Sequence, residues 1–596
     1  MVPQVDRPGI LDASEADCAR GCDPLRVSAS PRLRVSSSWL PDALLLTCFI
    51  LLSYFSRMTS LPMRGEEPRR ARVAFEMSQS GDWIVPVHQG DPFFMSCRPP
   101  LQFWTIALVG WLRGSIDTVA VRLPSAVAML LAVLVIYGYS RTFLARIGAL
   151  AAALAYGTMG QVMELCRLGE TDSIFALCVG GSLMVWHAGH VRGWPAWRVW
   201  TAAYLLVALG TLTKGIQAPV YFAGGVGLFL VITGSWRRAL SWPHAAGIAV
   251  FLAVWGAWQV PYFARLGWPG VLHVYFGDVV RNMHSRGCWT FARHLLSYPP
   301  EILCACLMPW SVLLLLYLRR DFRRTLGGAS EHVAFLACSI LAAFPTVWLV
   351  PAAKTRFFLA MYPAFAPLVG LVVERCCRAE HDALWRKFWG AYLTAGAIVM
   401  AGAGLVILAA SGLRPSLAIA QPMGFAAVFA VAALGLAAIA YWSGNARTAK
   451  KRAVGTLALA AFLGLAYTGA VINGMLRVSS PSMEPAVAEL KRKLPEHVRL
   501  VSLGPADPLF AYYYRDSIAK VPRPQLAEEL PAETEYFCFY TNADEPFWPA
   551  FAFEQVGEIN CDRIASSRDR LTIVGRRLPT VPAVARSSGS DKPVRR

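Results

Sequence analysis

Charged residues are scarce in this chain. Asp, Glu, Lys and Arg make up 16% of its 596 residues, whereas soluble globular proteins carry about 25%. With a mean hydropathy of +0.43, this scarcity excludes an ordinary water-soluble enzyme, because the apolar side chains exceed what a soluble core can bury. Acidic residues are rarer than basic ones, and the net charge is +19. The basic residues lie in short clusters between apolar stretches, which argues against nucleic acid as a partner.

Cysteine is also sparse. Fourteen residues in a chain of this length exclude a disulfide scaffold. Cys18 and Cys22 have no His or second Cys pair beside them, so their spacing does not indicate a zinc site. Cys538 and Cys561 share a polar C-terminal region, where the sequence leaves open both a bridge and two free thiols.

Long apolar stretches are abundant. A membrane-spanning helix needs about 20 apolar residues, and the chain offers about thirteen such windows. They lie near 40–56, 118–140, 144–160, 171–190, 199–213, 216–234, 243–264, 299–318, 331–350, 356–374, 388–410, 421–442 and 453–476. The predicted fold class is therefore an α-helical polytopic membrane protein with about thirteen transmembrane helices.

Basic clusters fall in every second connection between these windows, as the positive-inside rule describes for cytoplasmic loops. We therefore expect the N-terminus in the cytoplasm, and an odd number of spans puts the C-terminus outside. The connection 57–117 is then external although it carries several arginines, and its length of about 60 residues is the limit at which charge counting fails. Within it, residues 69–80 and 101–112 predict short interfacial helices.

Composition divides the chain into four parts. Residues 1–38 predict a disordered cytoplasmic tail, and residues 39–476 a transmembrane domain with the external loop 57–117. Residues 477–579 predict a small soluble α/β domain outside the membrane, with a helix at 483–494 and strands at 498–503, 536–540 and 571–574. A disordered tail, 580–596, follows.

Ionisable residues gather at the external ends of the spans, where a charge is costly unless it is paired or wetted. The acids are Glu66, Glu67, Glu170 and Asp172, and the cations are Arg69, Arg98, Lys214, Lys354 and Arg356. Around one outward-facing cavity, such acids activate a nucleophile and such cations hold an anion, with phosphate the natural one. The alternative is a solvated Glu66-Glu67 pair, with Lys354 and Arg356 as snorkelling anchors.

Two runs in the first external loop are distinctive: Gly65-Glu66-Glu67-Pro68-Arg69-Arg70-Ala71 and Arg98-Pro99-Pro100-Leu101-Gln102-Phe103-Trp104. They resemble the first external loop of the polyprenyl-phosphate glycosyltransferases, which share the GT-C membrane fold and include lipid A aminoarabinose transferases and protein O-mannosyltransferases. Further similarities are Thr213-Lys214-Gly215 and Lys354-Thr355-Arg356-Phe357, and the resemblance covers about residues 40–375. The family usually has Asp where this chain has Glu66, and Lys where it has Arg98.

The resemblance implies an inverting enzyme that moves a hexose or pentose from a polyprenyl-phosphate donor. It places Glu66 and Asp172 as the catalytic acids on the periplasmic side of a bacterial inner membrane. The implied acceptor is lipid A, another glycan or glycolipid, or a protein hydroxyl.

Because phosphate is already a good leaving group, cations on the departing phosphate replace the protonating acid of ordinary glycoside hydrolysis. The candidates for this clamp are Arg69, Lys214, Lys354 and Arg356. Glu67 and Glu170 are rivals for the two acids, and Arg98 is a further substrate ligand. We expect no metal and no other cofactor.

A transporter or flippase for a lipid-linked sugar is the alternative from another class. It would need charges near the middle of spans and broken helices in matched halves, whereas the charges here gather at span ends. A catalytically inactive scaffold is a third reading, since the exchange of Asp for the longer Glu66 is consistent with lost chemistry.

Overall fold

The computed structural model describes residues 39–56, 58–283, 288–350, 353–378, 383–413, 422–444, 483–496, 498–543, 546–562 and 568–578, with isolated positions at 454, 455, 459 and 462. Both predicted tails lie outside the described residues. The described part is mainly helical, with a small β-sheet near the C-terminus.

The α-helices in chain order are α1 (Trp39–Ile50), α2 (Glu67–Ser80), α3 (Leu101–Arg113), α4 (Thr118–Ser140), α5 (Arg146–Gly157), α6 (Gly160–Leu165), α7 (Asp172–Arg192), α8 (Ala196–Lys214), α9 (Gln217–Ile232), α10 (Trp242–Met283), α11 (Cys288–Glu301), α12 (Ser311–Leu314), α13 (Arg320–Arg324), α14 (Ser330–Ala343), α15 (Pro345–Trp348), α16 (Tyr362–Arg378), α17 (Ala383–Leu413), α18 (Pro422–Gly444), α19 (Met483–Lys493) and α20 (Pro508–Tyr514). Shorter 3-10 and π-helical turns join several of them, including the 3-10 helix Thr355–Met361.

Seven described helices are long and apolar enough to cross a membrane, and a bent pair, Cys288–Cys306 with Ser311–Leu318, gives an eighth if it counts as one span. The seven segments are Thr118–Ser140, Asp172–Arg192, Trp242–Gly277, Gly327–Trp348, Thr355–Cys377, Phe388–Leu413 and Pro422–Trp442. Shorter apolar helices cover Trp39–Phe55, Arg146–Gly157 and Gln217–Ile232. The prediction of a polytopic helical membrane protein is confirmed in this coarse form, while the number of spans stays a prediction.

The first-loop helices agree closely with the sequence. α2 and α3 occupy the two segments predicted to be short helices. Every predicted window up to residue 442 falls on helical segments. The window 453–476 lies almost wholly outside the described residues.

Burial separates central from peripheral helices. Thr355–Cys377 is 94% buried and Asp172–Arg192 is 78% buried, whereas Phe388–Leu413 and Pro422–Trp442 are each 17% buried. An apolar helix with so little contact needs lipid around it, and one with so much contact forms the protein core. The central pair places Arg356 and Asp172 at helix starts that meet in the protein interior.

α5 and α16 pack closely because small residues line their contact. A Cβ on Gly370 would lie 2.3 Å from the carbonyl oxygen of Gly148. Such small residues let two membrane helices approach until their backbones touch. This contact fixes α16, whose preceding 3-10 helix carries Arg356.

The C-terminal sheet has five strands: β1 (Val501–Leu503), β2 (Ala519–Val521), β3 (Tyr536–Asn542), β4 (Phe553–Asn560) and β5 (Arg570–Arg577). Their order is β2-β1-β3-β5-β4, with β1 parallel to β2 and β3, and β5 antiparallel to β3 and β4. β3 is almost wholly buried, as a central strand covered on both faces is. The predicted α/β character of this region is confirmed.

The described residues include three polar contacts that attach this sheet region to the first loop. Arg72 Nη1 donates to the carbonyl oxygen of Asp516 at 2.8 Å, and the side-chain oxygen of Gln89 accepts the N–H of Ala506 at 3.1 Å. Lys520 Nζ pairs with Asp91 Oδ2 at 2.8 Å. The C-terminal region therefore helps to hold in place the loop that carries Glu66.

The two cysteines of this region are not bridged. Cys538 lies within β3 and Cys561 directly after β4, and both are buried free thiols. Burial raises the pKa of both thiols, which keeps them in the unreactive protonated form. Of the two possibilities that the sequence left open, the structure has the free thiols.

Candidate active site

Four helix ends meet at the candidate site. α2 begins at Glu67, α7 begins at Asp172, α8 ends at Lys214, and the 3-10 helix Thr355–Met361 follows Lys354. The sequence places these ends in separate connections on one side of the predicted membrane. The structure brings most of their ionisable side chains into one network of ion pairs.

Asp172 is the centre of the network. It is 1% exposed, and its Oδ1 lies 2.7 Å from Lys214 Nζ while its Oδ2 lies 2.6 Å from Arg356 Nη2. As the first residue of α7 it is also favoured by the helix dipole. Asp172 therefore fixes two cations from different connections relative to each other.

Lys214 is enclosed by aromatic rings. Its Nζ lies 5.4 Å from the ring centroid of Phe175 and 5.2 Å from that of Phe357. The faces of these rings attract the ammonium group, and the Lys214 side chain is only 4% exposed. Arg356, whose side chain is 23% exposed, is the more accessible of the two cations on Asp172.

Glu170 links the first loop to Arg356. Its Oε2 lies 2.9 Å from Arg70 Nη2 and 2.8 Å from Arg356 Nη2, and its Oε1 accepts the N–H of Glu66 at 3.2 Å. Burial alone would raise the pKa of Glu170, but the positive charges of Arg70 and Arg356 hold that pKa below its ordinary value. Glu170 is thus an ionised connector between two loops.

Gly65 allows the loop to approach Glu170. Its φ of +64° lies in the left-handed region, and a Cβ at this position would lie 2.9 Å from Glu170 Oε1. A side chain would be strained by the backbone and would crowd the carboxylate as well. The backbone conformation and the close approach to Glu170 therefore explain why the first-loop motif opens with a glycine.

Glu66 is the more accessible acid, with its side chain 30% exposed. Its Oε2 pairs with Arg69 Nη1 one turn along the chain, and Arg69 Nη1 also donates to the carbonyl oxygen of Met95 at 3.1 Å. The Glu66 carboxylate thus lies at the edge of the network, next to a cation and open to solvent.

Glu67 has a different environment. It is 0% exposed, and its two oxygens accept from Arg122 Nε and Nη2 at 2.7 and 2.8 Å. It also accepts the N–H groups of Gly169 and Arg64, at 2.7 and 3.1 Å. The sequence offered Glu67 as a substrate ligand, but the structure commits its carboxylate to holding the first two external loops on α4.

Arg98 and Lys354 are placed differently from the other predicted cations. Arg98 is half-buried and near enough to Lys214 for the two positive charges to repel each other. Lys354 is exposed, and its ammonium forms no ion pair with another described residue. The network therefore has Arg98 beside it, whereas the Lys354 side chain lies outside it.

Sequence reasoning missed Arg70 and Arg122 as parts of this region. Arg70 stands in the first-loop motif beside Arg69, where two adjacent arginines are hard to rank. Arg122 lies inside a predicted span and donates to the carbonyl oxygens of Leu61 and Pro62 as well as to Glu67. An ionisable residue inside a span is itself a signal of a partner or a function, and that signal was available.

Cations outnumber acids around the site. The acids are Glu66, Glu170 and Asp172, and the cations are Arg69, Arg70, Arg98, Lys214 and Arg356. A surplus of positive charge in a partly buried site favours an anion, and arginine forks match phosphate oxygens. In the part of the chain that the structure describes, no group of three or more His, Cys, Asp or Glu residues is arranged to hold a metal ion.

Comparison with known proteins supports the fold and the family resemblance that were predicted from the sequence. Residues 97–258 match the family model described as dolichyl-phosphate-mannose-protein mannosyltransferase. The crystal structure of ArnT from Cupriavidus metallidurans bound to undecaprenyl phosphate superposes with a TM-score of 0.68 at 17% sequence identity. The superposition covers 90% of this chain and 98% of that one, so the chain has the GT-C membrane fold that its first-loop motif predicts.

Two curated relatives carry the same kind of name. The undecaprenyl phosphate-alpha-4-amino-4-deoxy-L-arabinose arabinosyl transferase 2 of Sodalis glossinidius is 28% identical over 341 residues, which is 55% of this chain and 58% of that protein. The corresponding transferase of Pseudomonas savastanoi is 30% identical over 188 residues, 30% of this chain and 34% of that protein. The chain thus matches less than two thirds of either relative's length. The resemblance to polyprenyl-phosphate glycosyltransferases is confirmed, and these likenesses give no support to the transporter alternative.

Proposed function

We propose that this chain is an integral membrane glycosyltransferase that moves a sugar from a polyprenyl-phosphate donor to an acceptor at the periplasmic face of a bacterial inner membrane. The observation that carries the proposal is the pairing of buried Asp172 with Lys214 and Arg356 beside the accessible carboxylate of Glu66. That arrangement supplies fixed cations for a departing phosphate and one reachable acid for an acceptor.

The donor phosphate is held by cations at the open edge of the network. Arg356 and Arg69 have side chains that are 23% and 14% exposed, and Arg98 is half-buried near Lys214. In the transfer step the bond between the anomeric carbon and the phosphate oxygen breaks, and its electron pair stays on that oxygen. These cations stabilise the charge that develops there. Lys354 adds positive charge from outside the network.

The acceptor oxygen attacks the anomeric carbon from the opposite face, which inverts its configuration. For a hydroxyl acceptor, Glu66 takes the proton as the new bond forms. A phosphate acceptor is already nucleophilic, so Glu66 only orients it. Asp172 and Glu170, both 1% exposed, contribute by positioning the cations that they pair with. Glu67 contributes by positioning Arg122.

The first donor to test is undecaprenyl phosphate-linked 4-amino-4-deoxy-L-arabinose, because the curated relatives are named for it. Lipid A is the first acceptor, since the resemblance from the first-loop motif includes transferases that modify it. Other polyprenyl-phosphate sugars and a protein acceptor form the rest of the panel.

The proposed arrangement has about thirteen membrane spans, a cytoplasmic N-terminus and a periplasmic C-terminal domain. The agreement of the apolar windows with helices up to residue 442 supports the span count. The contacts of the C-terminal sheet region with the first loop support placing both on one side of the membrane. The proposed boundaries are 39–476 for the membrane domain and 477–579 for the C-terminal domain.

The test is transfer by the purified full chain in lipid vesicles supplied with radiolabelled donor and lipid A. Wild-type protein is expected to give labelled lipid A, whereas Arg356→Met is expected to give little or none. Glu66→Gln is expected to give little or none with a hydroxyl acceptor and a reduced amount with a phosphate acceptor. Asp321→Asn, which alters a carboxylate that is 67% exposed, is the matched control and retains activity. Labelled donor that crosses the vesicle membrane without any labelled product, across the whole panel, would overturn the proposal in favour of transport.

A further inference from the structure

A second site is formed by a cavity of about 400 Å³ between α2, α3 and α20. The α2 residues that line it include Arg72, Phe75 and Gln79. Successive residues of a helix are rotated by about 100°, so Arg72 lies on the opposite side of α2 from Arg70, which pairs with Glu170. One helix therefore faces the ion network on one side and this cavity on the other.

Arg72 lines the cavity and has donors without an acceptor among the described residues. It is 2% exposed, its Nε pairs with Glu76 Oε1 at 2.7 Å, and its Nη1 donates to the Asp516 carbonyl oxygen. The two N–H groups of Nη2 have no hydrogen-bond acceptor among the described residues. A buried donor on a charged group without an acceptor is costly, so this position favours a ligand with anionic oxygens. Arg515, 72% exposed in its side chain, lines the same cavity.

The other walls are mainly apolar, and the carboxylate among them, Asp117, is paired with Arg113 at 2.7 Å. Ala71, Phe75, Ala107 and Trp111 line the cavity, and Trp111 continues onto the outer face of α3. On that face Leu108, Trp111 and Leu112 are 56%, 77% and 69% exposed. An apolar face on a helix too short to span a membrane fits the boundary between headgroups and acyl chains.

We propose that this cavity binds the phosphate headgroup of an anionic membrane lipid, with the acyl chains along the exposed face of α3. The guanidinium of Arg72 is the inner anchor for the phosphate oxygens, because an arginine fork matches them in geometry and charge. The volume fits a headgroup rather than a whole lipid, which leaves the chains outside. The proposal does not rest on the glycosyltransferase function.

The experiment is a lipid titration of the purified full chain, followed by native mass spectrometry. The probes are phosphatidylglycerol, phosphatidylcholine with the same acyl chains, and inorganic phosphate. Ser78 is an exposed residue of the cavity wall, so Ser78→Trp fills the space without disturbing a buried position. Ser80, exposed on the same helix but not in the wall, gives the matched control Ser80→Trp.

The first bound phosphatidylglycerol is expected to be about tenfold weaker in Ser78→Trp than in wild type or Ser80→Trp, the loss expected for one charge-assisted hydrogen bond. Arg72→Lys keeps the charge but not the fork, and it is expected to weaken the same lipid while phosphatidylcholine is unaffected. Equal phosphatidylglycerol binding in wild type and Ser78→Trp would overturn the proposal. Phosphatidylcholine binding equally well would also overturn it, and so would binding of inorganic phosphate without any binding of phosphatidylglycerol. The Ser78→Trp comparison decides the matter even where Arg72→Lys fails to fold.

Discussion

Lys214 and Asp172 form a buried ion pair, with Nζ and Oδ1 2.7 Å apart and side chains that are 4% and 1% exposed. The two residues are 42 positions apart in sequence and belong to different helices, so the pair exists only in the folded protein. Removing Asp172 leaves the Lys214 ammonium buried without a carboxylate, which is costly, whereas removing Lys214 leaves Asp172 still paired with Arg356.

Asp172→Asn is expected to lower the free energy of unfolding by about 3–5 kcal/mol, and Lys214→Met by less, because Asp172 keeps its pair with Arg356. The double variant is expected to be more stable than the sum of the two losses predicts, since it leaves no unpaired charge on this contact. Transfer is expected to be absent in Asp172→Asn and in the double variant, because Arg356 loses one of the two carboxylates that align it. In Lys214→Met transfer is expected to be reduced, because the network loses one cation. Melting temperature and transfer rate in detergent check both parts. Additive losses of stability would contradict the coupling.

Glu66 and Glu67 are neighbours in sequence, and their substitution is expected to have opposite consequences. Glu66→Gln should reduce transfer to a hydroxyl acceptor by about 10²–10⁴-fold, with a change in stability below about 1 kcal/mol because its pair with Arg69 is partly exposed. Glu67→Gln should lower stability by about 3 kcal/mol, since Arg122 keeps a buried charge. The activity of Glu67→Gln should fall only as far as the fraction of folded protein falls.

The two measurements for this neighbour comparison are transfer rate per folded molecule and melting temperature. Glu66→Asp, which keeps the charge, serves as the conservative control and should retain part of the activity. If Glu67→Gln lost as much activity per folded molecule as Glu66→Gln, the assignment of Glu66 as the functional acid would be wrong.

Gly65→Ala is expected to be more damaging than Gly81→Ala, although both glycines have positive φ. The backbone strain is shared and amounts to about 1–2 kcal/mol. A Cβ on Gly65 would also lie 2.9 Å from Glu170 Oε1, whereas a Cβ on Gly81 would have nothing within 4 Å. Gly65→Ala should therefore lose both stability and transfer, and Gly81→Ala only stability. Equal transfer by the two variants would argue against the approach to Glu170.

Acid should destabilise the first loop through His88. Burial, and then the positive charges of Arg69 and Arg72, lower the pKa of His88 to about 3, while the unfolded chain has a pKa of about 6.5. Between these values the unfolded state binds the proton and the folded state does not, so stability falls as the pH drops from about 6.5 towards about 3. Above pH 6.5 this contribution is constant.

His88→Phe is expected to flatten that dependence, because Phe has no proton to bind and can keep the ring contact with Phe94. Melting temperatures measured across this range check it. An unchanged slope in His88→Phe would place the acid sensitivity elsewhere.

The helical architecture could be predicted from the sequence because membrane spans are recognisable by their length and hydropathy. The two short helices of the first loop were also predicted, since their apolar runs are too short to span. The sheet was predicted only in part. β2 has three residues with little burial, and β4 carries charges and a bulge near Gly557, so neither shows the alternation that identifies a strand.

The candidate site was predicted as a set of residues but not as a set of partners. Adjacent Glu66 and Glu67 look alike in sequence, and only the fold separates the exposed acid from the one enclosed with Arg122. Lys354 and Arg356 are two residues apart, yet only the Arg356 side chain turns towards Glu170 and Asp172. Helix direction and loop path decide such differences, and hydropathy carries no information about them.

The three contacts between the first loop and the C-terminal region join residues 444, 417 and 429 positions apart. At about 5–20 residues per second, a ribosome needs roughly 20–90 s to add that much chain. The loop that bears Glu66 therefore emerges well before its partners exist and acquires these bonds only after residues 506–520 have been synthesised. The final placement of the first loop therefore depends on chain that is synthesised long after it.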